Sequence, residues 1–172
     1  MHPQPEVQVP SRYARVNAWV ISQDTDAEVR FLESAFGAVE TPGSRMLDPD
    51  GDIGHVEVEI GESVVMLFDA KPGWPATPAH LRVYVDDTGT AVERAVEAGA
   101  RVATRPTLLA FGERVARVRD AQGHLWWLHE QVEDVPPEEL GERFADPAAQ
   151  EAMAYVQRTL REEMETAATD QA

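Results

Sequence analysis

The alternation of apolar and polar residues along this chain runs through the same order twice. The run 16–22, Val-Asn-Ala-Trp-Val-Ile-Ser, mixes β-branched and aromatic residues before a polar turn and reads as a strand. Residues 26–36 place Val29, Leu32 and Phe36 at i, i+3 and i+7, the spacing of a helix with one core-facing stripe. Thr41-Pro-Gly43 and Asp48-Pro-Asp-Gly-Asp52 are turn sequences, with a short strand expected over 44–47 between them. Residues 55–60 alternate strictly. Their apolar members form one face, and His55, Glu57 and Glu59 form the other, which is expected to meet solvent. Gly61-Glu62 then turns the chain into a mostly buried strand over 63–68. After the Pro-rich stretch 71–78 the order returns as strand 80–85, helix 90–98 and strands 100–104, 112–119 and 124–130, with a turn at Asp120-Ala-Gln-Gly123.

The ends of the two helices match as well. Each opens with T-x-x-E, Thr25…Glu28 and Thr90…Glu93, the pattern of a capping box. Asp86-Asp87 also stands where a cap for the second helix belongs. Each closes on Gly, at Gly37 and Gly99, where a left-handed cap is expected. One such module has too small a core to stand alone, whereas two can bury a shared one. Equivalent positions of the two copies then mark where a site should be sought.

Beyond the second module, Pro136-Pro137 ends the domain. A short helix is expected over 138–145 and a longer one from Asp146-Pro147 to about Thr166, with Pro at its first position. Ala149, Met153, Val156, Leu160 and Met164 form a narrow apolar stripe on it. That stripe packs either on its own domain or on a second subunit.

Composition narrows the function. Net charge is −16, and half of it comes from residues 131–172, with eleven acids against three Arg. Such a surface repels phosphate backbones and anionic lipid, so neither nucleic acid nor membrane is an expected partner. The chain has no Cys, which removes disulfides, thiolate metal sites and cysteine nucleophiles and fits a cytoplasmic location. The first residues lack the basic and apolar regions of a secretory signal. No Ser sits in G-x-S-x-G, and no glycine window is followed by Lys-Ser/Thr, so neither a nucleophile elbow nor a phosphate loop is indicated.

Two tandem βαβββ modules, a Pro-rich linker, Ala79-His-Leu-Arg-Val-Tyr-Val-Asp-Asp87 and Arg119-Asp-Ala-Gln-Gly-His124 together resemble the vicinal oxygen chelate superfamily, over residues 14–131 or so. That group holds glyoxalase I, extradiol dioxygenases, fosfomycin-modifying enzymes and bleomycin-resistance proteins, and the likeness is to its glyoxalase-like branch. The resemblance implies an α+β fold in which the modules form a cleft-bearing mixed sheet, with a C-terminal helical extension. The segments are an arm over 1–13 expected to be disordered, modules over 14–70 and 79–132 joined by the linker 71–78, and an acidic helical tail over 133–172. It also implies four metal-ligand positions, one on the first and one on the last strand of each module. Here they fall on Asn17, Met66, His80 and Trp127. Only His80 is a good ligand; a thioether is soft, and indole offers an N–H and no lone pair. The turn carries Ala121 where the family has Pro.

The expectation is therefore no metal and no cofactor. In their place stands an apolar-walled ligand site built from Asn17, Trp19, Met66, Phe68, His80, Arg82, Tyr84, Trp127 and His129. The first reading is a metal-independent small-molecule binding protein of the glyoxalase/bleomycin-resistance type, taking an aromatic or amphipathic ligand and dimerising with help from the tail helix. The alternative is an enzyme, either a metal-dependent lyase, isomerase or dioxygenase or a metal-free acid–base catalyst using His80 and His129. A relocated metal site at His80, His129 and Glu57 is a variant of the second. A third reading makes the acidic tail helix an interaction element.

Overall fold

The computed structural model describes residues 8–170. The first module is β1 (Ala18–Ser22), α1 (Thr25–Phe36), β2 (Val39–Glu40), β3 (Met46–Leu47), β4 (Ile53–Ile60) and β5 (Ser63–Asp69). The second is β6 (His80–Tyr84), α2 (Thr88–Glu97), β7 (Arg101–Leu108), β8 (Glu113–Arg119) and β9 (Leu125–Gln131). Two helices follow, α3 (Leu140–Ala145) and α4 (Pro147–Asp170). The strands form two mixed sheets, β1-β5-β4-β2 with β3 added on β4, and β6-β9-β8-β7. In each sheet the first and last strands of the module pair in parallel, β1 with β5 and β6 with β9. The duplicated α+β order expected from the pattern is present.

The helix caps differ from expectation. The α1 cap is Asp24, whose carboxylate accepts from Ala27 N–H, and the α2 cap is Asp87, accepting from Thr90 N–H. Thr25 and Glu28 are instead buried in the first turn of α1. An Asp one or three residues earlier satisfies the orphan amides that a Thr cap was expected to reach. Gly37 does take the left-handed conformation that ends α1, at φ 67°.

Each sheet has one face turned to the helices and one turned away. Val20, Val56, Val58, Val65 and Leu67 of the first and Val83, Ala116, Val118, Trp126 and Leu128 of the second join α1 and α2 in a single core. α1 packs on β1, β4, β5 and α2, while α2 packs on β7, β8 and β9. Trp126 is the joint. It is 1% exposed and lies against Phe31 and Phe36 of α1, with ring centroids 6.4 and 5.1 Å away. Truncating such a residue costs about 3–5 kcal/mol.

A polar joint lies beside it. Asp120 accepts from the amides of Gln122 and His124 and from Trp126 Nε1. His124 Nδ1 accepts from Ala79 N–H, so its Nε2 carries the proton and donates to Ser22 Oγ of the first module. Glu28 reaches this cluster from α1. Its carboxyl is pushed up to about 9, first by burial, then by the Asp120 charge and by a hydrogen bond to Asp120. Held protonated, Glu28 faces the Asp120 carboxylate across the module boundary without adding a second negative charge.

The tail helix is folded onto its own chain. α4 packs on β7. Its buried positions are Val156, Thr159 and Glu163, while Met164 is 43% exposed. The face it turns inward is therefore rotated from the expected apolar stripe, because polar anchors decide it. Thr159 bonds Thr104 at 2.8 Å, Tyr155 Oη accepts from Arg105 N–H, and Glu163 pairs with Arg101 and Arg119. Lys71, the chain's one lysine, ties the linker to the β3–β4 turn through Asp48, Asp50 and Asp52. Residues 1–7 of the expected disordered arm lie outside the described residues. Of the rest, Arg12 and Tyr13 both contact Glu57.

Two outcomes follow from these joints. In the folded state Glu28 keeps a proton that the unfolded chain releases above pH 4.5 or so, so stability falls as pH rises from there towards about 9. Glu28→Gln is neutral at every pH and should melt progressively above the parent as pH rises from 5 to 9. A gap independent of pH would refute the shared proton. Separately, Glu163→Gln should cost about 1.5–3 kcal/mol in chemical denaturation, the range for hydrogen bonds to charged groups.

Candidate functional site

The faces turned away from the shared core carry the chemistry. On the first sheet, register sets Trp19, Met66 and Glu57 side by side across β1, β5 and β4. Trp19 is 51% exposed and makes edge contacts with His55 and Phe68, both at 5.4 Å, and Phe68 in turn meets Trp74 at 6.1 Å. Glu57 is buried, contrary to the solvent face expected of it. Tyr13 Oη donates to it at 2.7 Å, His55 Nε2 lies 3.1 Å away, and Arg12 pairs with it. Only Glu59 of the three is exposed. The N-terminal segment covers this carboxylate, and strand alternation carries no signal for such a cover.

On the second sheet the equivalent row is Arg82, Trp127 and Arg117, across β6, β9 and β8. Arg117 therefore occupies the position that Glu57 holds in the first. It is 4% exposed, and its guanidinium stacks 3.8 Å from the centre of Trp127. Its Nη1 donates to Thr104 Oγ1 and to the Val156 carbonyl of α4. Burial lowers its pKa to about 10, so it stays charged at neutral pH. One residue pair along, His129 Nδ1 donates to Glu113, and Tyr84 flanks the imidazole at 5.8 Å. His80 is exposed and tilts towards Trp127 at 6.4 Å. Burial, then the charges of Arg119 and Arg117, hold His80 below the ordinary histidine value. His129 is also lowered, first by burial, with Glu113 opposing and Arg82 and Arg117 adding.

The expected site residues thus fall into two groups. Trp19, Met66 and Phe68 lie on the first sheet, with Asn17 just before β1, and His80, Arg82, Tyr84, Trp127 and His129 lie on the second. None of the hydrogen bonds or ring contacts described joins the groups, and each outer face is turned away from the shared core. His80, His129 and Glu57 are not brought together either. Asn17 spends its amide locally, accepting from Ala14 N–H and donating to the Ala14 carbonyl. Met66 is buried, and one face of Trp127 is covered by Arg117. The four implied ligand positions therefore offer one imidazole, one occupied amide, a thioether and an indole, and this donor set does not fit a divalent metal centre.

Sequence reasoning missed Arg117, Glu28 and the anchoring role of α4. Period-2 alternation in 113–119 marks Arg117 as facing away from the core, and that was the one available signal. Glu28, Asp120 and His124 lie close enough together to hold a metal ion. Asp120 and His124 spend their atoms on the hydrogen bonds of the module joint, and burial beside Asp120 holds Glu28 in its protonated form.

The sequence signature of the glyoxalase/bleomycin resistance protein/dioxygenase superfamily matches residues 12–128. The chain belongs to that superfamily. An uncharacterized protein of Mycobacterium bovis is 30% identical over 132 residues, covering 70% of this chain and 86% of that one. The solved structure of TioX from Micromonospora sp. ML1 superposes with a TM-score of 0.54 at 25% identity, covering 67% of this chain and 98% of TioX. The fosfomycin resistance protein FosX from Listeria monocytogenes shares the fold, with a TM-score of 0.54 at 18% identity over 74% of this chain and 97% of its own. The matched segment stops short of α3 and α4, so the tail helices stand outside the superfamily's common part.

The electrostatics of the second face can be read by NMR. His80 and His129 should both titrate below the ordinary histidine midpoint. In Glu113→Gln, which removes the carboxylate that His129 Nδ1 contacts, the His129 midpoint should fall further. A rise would mean that Arg82 and Arg117 do not set the local field.

Proposed function

We propose that this superfamily member is a metal-independent small-molecule binding protein of the glyoxalase/bleomycin-resistance type. It takes an aromatic or amphipathic ligand on the outer face of the second module, around Trp127, His80, Arg82 and His129. The observation that carries this reading is the replacement of ligating groups at three of the four family positions, with Trp127 and its stacked Arg117 at one of them. Indole and guanidinium favour flat, weakly hydrated molecules over metal-bound oxygens. Trp19 and Phe68 form a second aromatic surface on the first module. In a homodimer that surface supplies the opposite wall for a ligand held by the second module of the other copy. No helix among the described residues is long and apolar enough to cross a membrane.

The alternative is metal-free acid–base catalysis by His80 and His129. Both are lowered towards the neutral form, which is the form a general base needs. Yet the rings belong to different rows of the sheet, with His129 committed to Glu113.

Protein purified without chelator should hold well under one equivalent of any transition metal. Near-stoichiometric zinc, nickel, manganese or iron that is lost in His80→Ala would refute the metal-independent reading. In a fluorescence and thermal-shift screen of aromatic compounds, binders should lose affinity in Trp127→Ala and not in Trp74→Ala. Hits that bind Trp127→Ala as tightly as the parent would move the site elsewhere.

A further inference from the structure

The outer face of the second sheet is a cationic patch on a chain of net charge −16. Arg82, Arg117 and Arg119 lie on it with His80 and His129, and Arg101 joins from β7. The carboxylates that reach it are committed: Glu163 to Arg101 and Arg119, Glu113 to His129 and Tyr84. Two of the arginines, Arg82 and Arg117, have no carboxylate partner among the described residues, and whereas Arg82 is exposed, Arg117 is 96% removed from solvent. A buried cation without an anion is costly, and breaking such a pair elsewhere typically destabilises by several kcal/mol.

The donors around it are also incompletely used. Arg117 Nε, Arg119 Nη2 and Trp127 Nε1 are buried N–H groups with no acceptor, and His129 Nε2 is buried without a partner. Four such atoms on one face are unusual, because buried polar groups are nearly always paired. The first and third sit on side chains stacked 3.8 Å apart. The acceptors that Arg117 does have are weak ones. One is a threonine hydroxyl, and the other is the Val156 carbonyl, which belongs to a helix and also accepts from Thr159 Oγ1.

Resting on the ligand site proposed above, we infer that its ligand is an acid, a planar molecule whose carboxylate or comparable oxyanion accepts hydrogen bonds from Arg117 and from the indole N–H of Trp127. The anion takes the place of the Val156 carbonyl as an acceptor for Arg117, so α4 is the movable wall of the site. An oxyanion pairs its charge with the guanidinium, which the neutral Val156 carbonyl it replaces cannot do. The aromatic part of the ligand lies towards β6, on the flank of Trp127 opposite Arg117, where His80 is open to solvent. Arg117 is then the residue that sets specificity for acids over their neutral analogues, and Glu163, held by Arg101 and Arg119, closes the neighbouring positive positions to a second anion.

The test uses the full chain and a set of matched pairs, each an aromatic carboxylic acid and its primary amide, among them 1-naphthoate with 1-naphthamide and indole-3-acetate with indole-3-acetamide, titrated by calorimetry. The acids should bind about 10- to 100-fold more tightly than their amides, the range expected for a hydrogen bond to a buried charge. Acid binding should also raise hydrogen exchange in α4 around Val156. Arg117→Met should abolish the preference, and Arg117→Lys, which keeps the charge and loses the Nε–H, should keep part of it. Amides binding as tightly as acids, or a preference that survives in Arg117→Met, would overturn the inference and leave the aromatic site standing. If no member of any pair binds, both readings fall. Should Arg117→Met not fold, the acid-to-amide ratio in the parent and the exchange at α4 decide the matter alone.

Discussion

The structure depends on two half-covered sheets sharing one helix layer. Each βαβββ module has a single helix to cover one sheet face, which is too little apolar burial for independent stability. Setting the helix sides of both modules together solves this. Trp126 of the second sheet enters the aromatic pair Phe31 and Phe36 on α1, and α1 then serves both modules. The cost is that both remaining sheet faces are left outside the core. Everything on those faces, from the Trp19 cluster to the Trp127–Arg117 stack, follows from that choice.

Polar groups at the joint make the arrangement specific. Asp120 holds the turn before β9 and the Trp126 indole at once, and His124 spans Ala79 and Ser22. The His124–Ser22 bond crosses between the modules and, held by the others, fixes their relative position in a way that apolar packing alone would not. The protonated Glu28 completes the network, since a charged carboxylate there would face Asp120 in a low-dielectric interior. The grouping resembles a metal site in composition but serves the joint.

The two outer faces are treated differently. The first is partly covered by Arg12 and Tyr13, which neutralise and bury Glu57. The second is roofed over β7 and β8 by α4, whose anchors are mostly polar. Equivalent rows of the two sheets thus carry a buried carboxylate in one and a buried guanidinium in the other. The superfamily's common fold accounts for the positions, and the side chains found there give each face its own chemistry. Fold and function part at this point, because one scaffold hosts many chemistries.

The sequence by itself determined the duplication, the strand and helix order, the glycine at the end of α1, and the loss of ligating groups at Met66 and Trp127. All of these are local, since periodicity and turn chemistry act within a few residues. It also showed which side chains share a face, as with Trp127 and His129. Only the tertiary structure decided what covers each face. Glu57 looked solvated because alternation reports direction and not what lies above it, and the segment that buries it is more than 40 residues away in sequence. The capping role expected of Thr25 and Glu28 passed to Asp24, which reaches Ala27 N–H, while Thr25 and Glu28 turn into the core, Glu28 beside Asp120. The inward face of α4 was set by Thr104, Arg101 and Arg119 on distant strands, which its own apolar stripe could not reveal.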